Sequence, residues 1–132
     1  MTSPLTLLRD PGLLRTDAYI NGSWVAGNSR FAVDNPATGE HLADVACLDA
    51  NATQQAIDAA NAAWPAWRNL TGKQRHAILL RWYQLLMEHQ EDLARILTAE
   101  QGKPLAEARG EIAYGASFVE WFAEEAKRTN GQ

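Results

Sequence analysis

The first third of the chain consists of short apolar runs separated by turn-forming residues, a pattern typical of β-strands. Asn21-Gly22 lies between two such runs, and both residues tolerate the positive φ of a type I′ turn, so a β-hairpin is predicted there. A second turn is predicted at residues 35–39, where the sequence reads Asn-Pro-Ala-Thr-Gly. We expect a small antiparallel sheet whose strands lie at residues 18–20, 23–25, 31–33 and 42–46.

From Asp49 onward the spacing of apolar residues becomes helical. Asn51 and Gln54 predict a capped helix start, and an alanine-rich helix is expected over residues 52–64. Pro65 is expected to end this helix, because proline cannot donate a backbone hydrogen bond.

The second predicted helix begins with the same kind of cap, formed by Thr71 and Gln74. Its apolar positions repeat with a period near 3.6 and continue to residue 97, with a bend expected near His89-Gln90. The apolar stripe on this helix comprises Ile78, Trp82, Leu85 and Leu86.

A third helix is predicted to follow the turn at Gly102-Lys103-Pro104 and to run to about Arg128, with its end at Asn130-Gly131. Gly102 is a natural left-handed stop, and Pro104 fits the first turn of a helix. This helix carries a broad aromatic face made of Tyr114, Phe118, Trp121 and Phe122. Because little sequence remains to cover such a face, we expect the chain to be the opening piece of a larger fold.

Composition places the chain among ordinary globular proteins of one domain at most, since 46% of its 132 residues are apolar and 21% are charged. The expected class is an α+β fragment, with an N-terminal arm at 1–17, antiparallel strands at 18–48 and a three-helix segment at 49–132. The net charge of −4 argues against a nucleic-acid partner. No apolar run approaches the roughly 20 residues of a membrane helix, so no membrane partner is expected either.

The N-terminus and the cysteine content point to the cytoplasm. Residues 1–15 lack the apolar core of a secretory signal, so three glycosylation triplets are better interpreted as turn and cap residues. These triplets begin at Asn21, Asn51 and Asn69. Cys47 is the single cysteine, which excludes an internal disulfide and fits a reducing compartment.

Few residues of the chain are candidates for chemistry. Cys47 follows an apolar strand with no neighbouring cation to activate it, so we expect a small buried residue rather than a nucleophile. Glu100, Glu107 and Glu111 invite a general-base interpretation, but solvated or capping carboxylates are the simpler one. A salt bridge of Glu100 or Lys103 at the turn is the next alternative.

Metal and phosphate sites are not predicted. His41, His76 and His89 are too scattered for metal-ligand spacing. The glycines of residues 110–117 imitate a phosphate loop, but this segment lacks the lysine and lies within a helix, where backbone N–H groups are already bonded. No G-x-G-x-x-G motif occurs. We therefore predict no catalytic, cofactor-binding or metal-binding residue in the chain.

Four short segments occur in order along the chain. They are Tyr-Ile-Asn-Gly-Ser-Trp at 19–24, Asn-Pro-Ala-Thr-Gly-Glu at 35–40, Ala-Trp-Arg at 66–68, and Glu-Gln-Gly-Lys-Pro at 100–104 followed by Glu107-Ala108 and Glu111. Together they resemble the N-terminal portion of the NAD(P)-dependent aldehyde dehydrogenases, over residues 16–128. The third helix is most similar to those of succinate-semialdehyde and glutarate-semialdehyde dehydrogenases. Where the family usually has an aromatic residue, a glycine, an acidic or polar residue and then Thr-Ile-Pro, this chain has Thr129-Asn130-Gly131-Gln132.

The resemblance implies a complete enzyme that oxidises a small aldehyde to an acid, using NAD or NADP, a cysteine thiolate and a glutamate base. It also implies an α/β fold with a doubly wound cofactor domain and a homo-oligomer, either dimer or tetramer. The nucleophile, the base and the cofactor site would lie downstream, so this chain alone is expected to bind no cofactor and to be inactive.

The resemblance further implies a role for the aromatic helix, which flanks the aldehyde tunnel in the family. Tyr114 would face the tunnel, with Gly110 one turn earlier. The alternative is that Tyr114 and Phe118 belong to the hydrophobic core. A second functional class also remains open, namely a free-standing helical module that binds a protein through its exposed aromatic face.

Overall fold

The computed structural model describes residues 4–128, which form two β-ribbons followed by four α-helices. The N-terminal arm contains two short 3₁₀ turns, Pro4–Leu7 and Pro11–Leu13. The strands are β1 (Ala18–Ile20), β2 (Ser23–Val25), β3 (Ser29–Asp34) and β4 (His41–Cys47). The helices are α1 (Ala50–Arg68), α2 (Gly72–Glu88), α3 (Gln90–Gln101) and α4 (Leu105–Glu125).

Strands β1 and β2 form the predicted hairpin. Asn21 has a φ of 49° and Gly22 a φ of 78°, as a type I′ turn requires. Tyr19 lies opposite Trp24 in the register, and the centroids of their rings are 5.0 Å apart. The guanidinium of Arg15 lies 5.0 Å from the Trp24 ring centroid, so this turn and its aromatic pair are held together locally.

Strands β3 and β4 form a second antiparallel ribbon, separate from the first, so the prediction of one small sheet is wrong. The left-handed backbone at Gly27, with a φ of 71°, interrupts the extended chain between β2 and β3. The loop joining β3 to β4 is the predicted Asn-Pro-Ala-Thr-Gly turn. In it Asn35 is buried, and its Oδ1 accepts a 2.9 Å hydrogen bond from the backbone N–H of Ala37.

The bounds predicted for the first helix are wrong at both ends. Asp49, rather than Asn51, is the N-cap, and its Oδ1 accepts a 2.9 Å hydrogen bond from the backbone N–H of Ala52. The helix continues through Pro65 to Arg68. Proline removes only its own N–H, and its carbonyl still accepts from Asn69 N at 3.3 Å, so the final turn remains helical.

The second predicted helix is divided in two at the predicted bend. The capping box at its start is confirmed, since Thr71 and Gln74 each accept a hydrogen bond from the other's backbone N–H. His89 has φ −100° and ψ 13°, outside the helical region, and separates α2 from α3. The helical segment therefore contains four helices instead of three.

The turn between α3 and α4 forms as predicted. Gly102 has a φ of 73°, and a Cβ built on it would lie 3.0 Å from Pro36 Cγ in the β3–β4 loop, so the turn packs against the ribbon. Helix α4 ends at Glu125, slightly earlier than predicted. The predicted end signal at Asn130-Gly131 lies outside the described residues.

The core of the described residues is built from alanines on α3 and α4, and it encloses no large side chain completely. Helix α4 packs against both α2 and α3, and small side chains let these helices approach closely. The apolar stripe of α2, however, is open to solvent at Ile78, Trp82 and Leu85. The buried alanines are Ala94, Ala99, Ala108, Ala116 and Ala123.

Candidate functional site

The outer side of α4 carries four exposed aromatic rings. We call Tyr114, Phe118, Trp121 and Phe122 the aromatic face; their exposed fractions are 66%, 49%, 62% and 59%. The rings of Tyr114 and Phe118 meet edge to face, with centroids 5.0 Å apart. Exposure of four large rings on one helix side marks a candidate interaction or binding surface.

The spacing of α4 explains why its two sides differ. The aromatic residues recur at i, i+4, i+7 and i+8, which places them on one side of a helix. Ala108, Ala116 and Ala123 recur on the opposite side and are completely or almost completely buried. The small residues therefore hold α4 against α2 and α3, and the rings point away from them.

Tyr114 and Gly110 lie on the outer side of α4. A Cβ built on Gly110 would meet no heavy atom within 4 Å, so the helix surface beside Tyr114 is open. Tyr114 and Phe118 are both exposed in the described chain, so neither belongs to the core that residues 4–128 form by themselves. Their position leaves room for a substrate or for another part of a protein.

A charged clamp fixes the N-terminal half of α4 against α3. Arg109 donates to Glu91 through Nε at 2.7 Å and through Nη2 at 3.0 Å, and Gln90 Nε2 donates to the Arg109 carbonyl at 2.9 Å. Arg95 Nη2 lies 2.8 Å from Glu91 Oε1. Hydrogen bonding from Arg109 lowers the pKa of Glu91, and the same pair raises the pKa of Arg109.

Sequence reasoning missed this clamp, which holds the helix turn that carries Gly110. The i, i+4 spacing of Glu91 and Arg95 was the available local signal. The partnership of Glu91 with Arg109 spans the α3–α4 turn and depends on how the two helices pack.

The three glutamates considered as general bases are not brought together. Lys103 forms an ion pair with Glu111, which confirms a salt bridge at the turn for Lys103. Glu100 and Glu107 are exposed, and neither forms an ion pair with any residue between 4 and 128. Such isolated carboxylates fit the simpler interpretation of solvated side chains.

Asp92 is a buried carboxylate that was not predicted. It is 2% exposed, and its two oxygens accept hydrogen bonds from the backbone N–H groups of Arg9, at 3.0 Å, and Asp10, at 2.9 Å. The bond from Arg9 is the main reason that the pKa of Asp92 is lowered, although burial opposes it. The carboxylate thus attaches the N-terminal arm to the first turn of α3.

His41 and His76 have separate structural partners. His41 Nδ1 lies 3.2 Å from Asp34, and its Nε2 lies 3.6 Å from Asp44. His76 Nδ1 lies 3.0 Å from the Ala123 carbonyl, which can only accept, so Nδ1 carries a proton and ties α2 to α4. Across residues 4–128, no three His, Cys, Asp or Glu side chains are grouped in a way that could hold a metal ion.

Cys47 is exposed, so the expectation of a buried thiol is wrong. It is the last residue of β4 and pairs with Ser29, whose hydroxyl donates to the Cys47 carbonyl at 3.2 Å. Strand ends have neighbours on one side only, which explains the exposure. No cation or histidine of the described residues forms an ion pair or hydrogen bond with the thiol.

Within the described part of the chain, no helix combines the length and apolar character needed to cross a lipid bilayer.

Comparisons with known proteins connect this arrangement to one family. The sequence model of the aldehyde dehydrogenase family matches residues 24–132. The chain is 58% identical over 126 residues to the NADP-dependent succinate-semialdehyde dehydrogenase of Escherichia coli K12, covering 94% of this chain and 26% of that protein. It is also 58% identical over 126 residues to the glutarate-semialdehyde dehydrogenase of Pseudomonas putida, with the same shares covered.

A solved structure agrees with the sequence comparison. The crystal structure of succinate-semialdehyde dehydrogenase from Burkholderia pseudomallei superimposes with a TM-score of 0.92 and 56% identity, over 96% of this chain and 27% of that one. The chain therefore spans about a quarter of the length of the relatives that it matches. The family model covers more than half of the chain, and the fold agrees closely, so the chain belongs to the aldehyde dehydrogenase family.

Proposed function

We propose that this chain forms the N-terminal portion of an NAD(P)-dependent aldehyde dehydrogenase that oxidises a semialdehyde to the carboxylic acid, with succinate semialdehyde as the first candidate. The observation that carries the proposal is 58% identity to the Escherichia coli enzyme over 94% of the chain. The exposed aromatic face supports it, because such a surface is expected where a larger enzyme continues.

The chemistry of aldehyde oxidation is the reason for proposing that this chain is inactive alone. The reaction needs a thiolate, a base for hydrolysis of the thioester and donors for the oxyanion. Cys47, at the edge of a ribbon, has no such neighbours among the described residues. These groups must therefore come from another part of the enzyme.

The segment whose glycine spacing imitates a phosphate loop does not fit a dinucleotide. NAD or NADP needs backbone N–H groups that are free to bind phosphate. Residues 110–117 lie in the middle of α4, where those groups are bonded within the helix. We place the cofactor site outside this chain, and the name of the Escherichia coli relative favours NADP as the first cofactor to test.

Tyr114 and Gly110 are proposed to line the path of the aldehyde in the complete enzyme. Both lie on the open side of α4, and Gly110 leaves space that a larger side chain would fill. The clamp between Glu91 and Arg109 would hold this turn in place. Family resemblance further leads us to propose a cytoplasmic homo-oligomer, either a dimer or a tetramer.

A chimera provides the test of this function. The 132-residue chain is joined to the part of the Escherichia coli enzyme that follows its matched region. We expect the chimera to reduce NADP⁺ with succinate semialdehyde, and the 132-residue chain alone to show no turnover. Assays with glutarate semialdehyde compare the two substrates named for the relatives. A folded chimera without activity, or turnover by the chain alone, would contradict the proposal.

A free-standing module that binds a protein through the aromatic face is the second candidate, since exposure of the face is also what such a module requires. The two candidates differ in what they predict for the chimera. A module has no reason to complete the active site of a dehydrogenase, whereas the N-terminal portion of an enzyme must do so.

A further inference from the structure

Acidic residues flank the aromatic face along one side of α4. Three glutamates and the four aromatic residues recur at intervals of one, three or four residues, so together they form a continuous stripe on the helix. Glu111 forms an ion pair with Lys103, and Arg128 Nη1 lies 2.8 Å from Glu125. The stripe consists of residues 107, 111, 114, 118, 121, 122 and 125.

Glu107 differs from the other two carboxylates on this stripe. It is exposed, and no residue between 4 and 128 forms an ion pair with it. It lies two turns before Tyr114, about 10 Å along the helix axis. A surface that covers the rings therefore reaches or borders Glu107 as well.

A carboxylate at the edge of a covered apolar surface requires a partner. Removal of water from an ionised group is costly unless hydrogen bonds or an opposite charge replace the water. Glu111 and Glu125 already have such partners within the chain. Glu107 has only the N-terminus of α4 to stabilise its charge, so an opposite charge would have to come from whatever covers the aromatic face.

The length of the relatives indicates what that occupant is. The chain covers 26% of the Escherichia coli enzyme, so about three quarters of such an enzyme are available to cover α4. Building on the proposed function, we infer that the rest of an aldehyde dehydrogenase polypeptide covers the aromatic face with an apolar surface and places a lysine or arginine against Glu107. With this basic group, each of the three glutamates of the stripe has an oppositely charged partner.

The experiment compares two charge reversals in the chimera. Glu107→Lys places a positive charge against the inferred lysine or arginine. We expect this repulsion to lower the unfolding temperature of the chimera by roughly 2–4 °C or more. Glu120→Lys is the control for a charge reversal on α4, because Glu120 is exposed on the same helix without an ion pair to residues 4–128. It lies about 140° around the helix from Glu107. Loss of the favourable position of Glu107 in the first turn accounts for about 0.3–1 kcal/mol of any difference, and the inferred basic partner requires more. Equal unfolding temperatures for the two variants would overturn the inference.

The outcomes separate this inference from the proposed function. If the chimera is active and Glu107→Lys and Glu120→Lys have the same unfolding temperature, the inference of a basic partner for Glu107 is wrong. The proposed dehydrogenase function is then unaffected. If the chimera folds but is inactive, the proposed dehydrogenase function is wrong. The unfolding temperatures of the two variants still show whether Glu107 has a basic partner. A chimera that fails to fold overturns the inferred docking.

Light scattering of the 132-residue chain tests whether a second copy is the occupant instead. We expect no stable dimer through the aromatic face. A stable dimer that shields the rings from an apolar dye and dissociates on Glu107→Lys would make the second copy the occupant and overturn the inference.

Discussion

Asp92 is the residue that orders the N-terminal arm, because its two oxygens accept the backbone N–H groups of Arg9 and Asp10. Asp92→Asn removes the charge and one acceptor, which costs about 1–3 kcal/mol of arm attachment. We expect amide hydrogen exchange at Arg9 and Asp10 to accelerate by about tenfold to a hundredfold. Asp58→Asn, on the exposed surface of α1, is the control and should leave the arm unchanged.

The same carboxylate gives the arm a dependence on pH. The pKa of Asp92 in the folded chain is lowered, mainly by the hydrogen bond from the Arg9 N–H. The stability that ionised Asp92 gives to the attachment of the arm is therefore fully present above the ordinary carboxyl pKa, and it is lost as pH falls through the lowered pKa. Protection factors of the arm, corrected for intrinsic exchange, should therefore decrease between about pH 5 and about pH 2. An equal decrease in Asp92→Asn would show that another group is responsible.

Tyr114 offers a direct test of the proposed aldehyde path. In the chimera, Tyr114→Ala is expected to lower kcat/KM for succinate semialdehyde by about tenfold, equivalent to about 1.4 kcal/mol of transition-state binding. Tyr19→Ala is a matched control, since Tyr19 is 64% exposed and lies on the β1–β2 hairpin. Steady-state kinetics that change equally in both variants would argue against a path along Tyr114.

At the scale of elements, the sequence predicted those features that depend on a few neighbouring residues. Asn21-Gly22, the Thr71 capping box and the left-handed Gly102 all form as expected. The start of α1 was assigned two residues too late, because Asp49 and Asn51 are both good caps and sequence does not rank them.

Features that depend on packing between distant segments could not be predicted in this way. The attachment of the arm to Asp92 spans 83 residues, and the clamp between Glu91 and Arg109 crosses a turn between helices. Cys47 was expected to be buried from its apolar neighbours, but its exposure depends on where β4 ends against β3. The aromatic face, by contrast, was predictable from helical spacing alone.

Two glycines allow a test of the turn that joins α3 to α4. Gly102→Ala forces a side chain into a left-handed backbone, with its Cβ 3.0 Å from Pro36, and should destabilise the chain by about 1 kcal/mol or more. Gly115→Ala places a Cβ in open space within α4 and should stabilise it by about 0.5–1 kcal/mol. Urea unfolding of the chimera measures both changes, and the same sign for both would contradict the assigned backbone geometry.

Over the whole molecule, helices α2 and α4 each have apolar residues on more than one side. Each packs on the other through one side, while Trp82 on α2 and Trp121 on α4 remain exposed. The alanine core alone buries little side-chain area. In the proposed complete enzyme, the surface that covers these helices would therefore supply much of the stabilisation by apolar burial.

This shortage of burial can be measured directly. The 132-residue chain is expected to bind an apolar dye strongly and to self-associate non-specifically, because its aromatic rings and short β-ribbons are open to solvent. The chimera should bind much less dye per molecule, since its larger part covers the rings. The complete Escherichia coli relative provides the reference level for a covered surface. If the 132-residue chain were instead a compact monomer that melted cooperatively and bound no more dye than the chimera, its aromatic face would already be shielded, and the rest of an enzyme would not be needed to cover it.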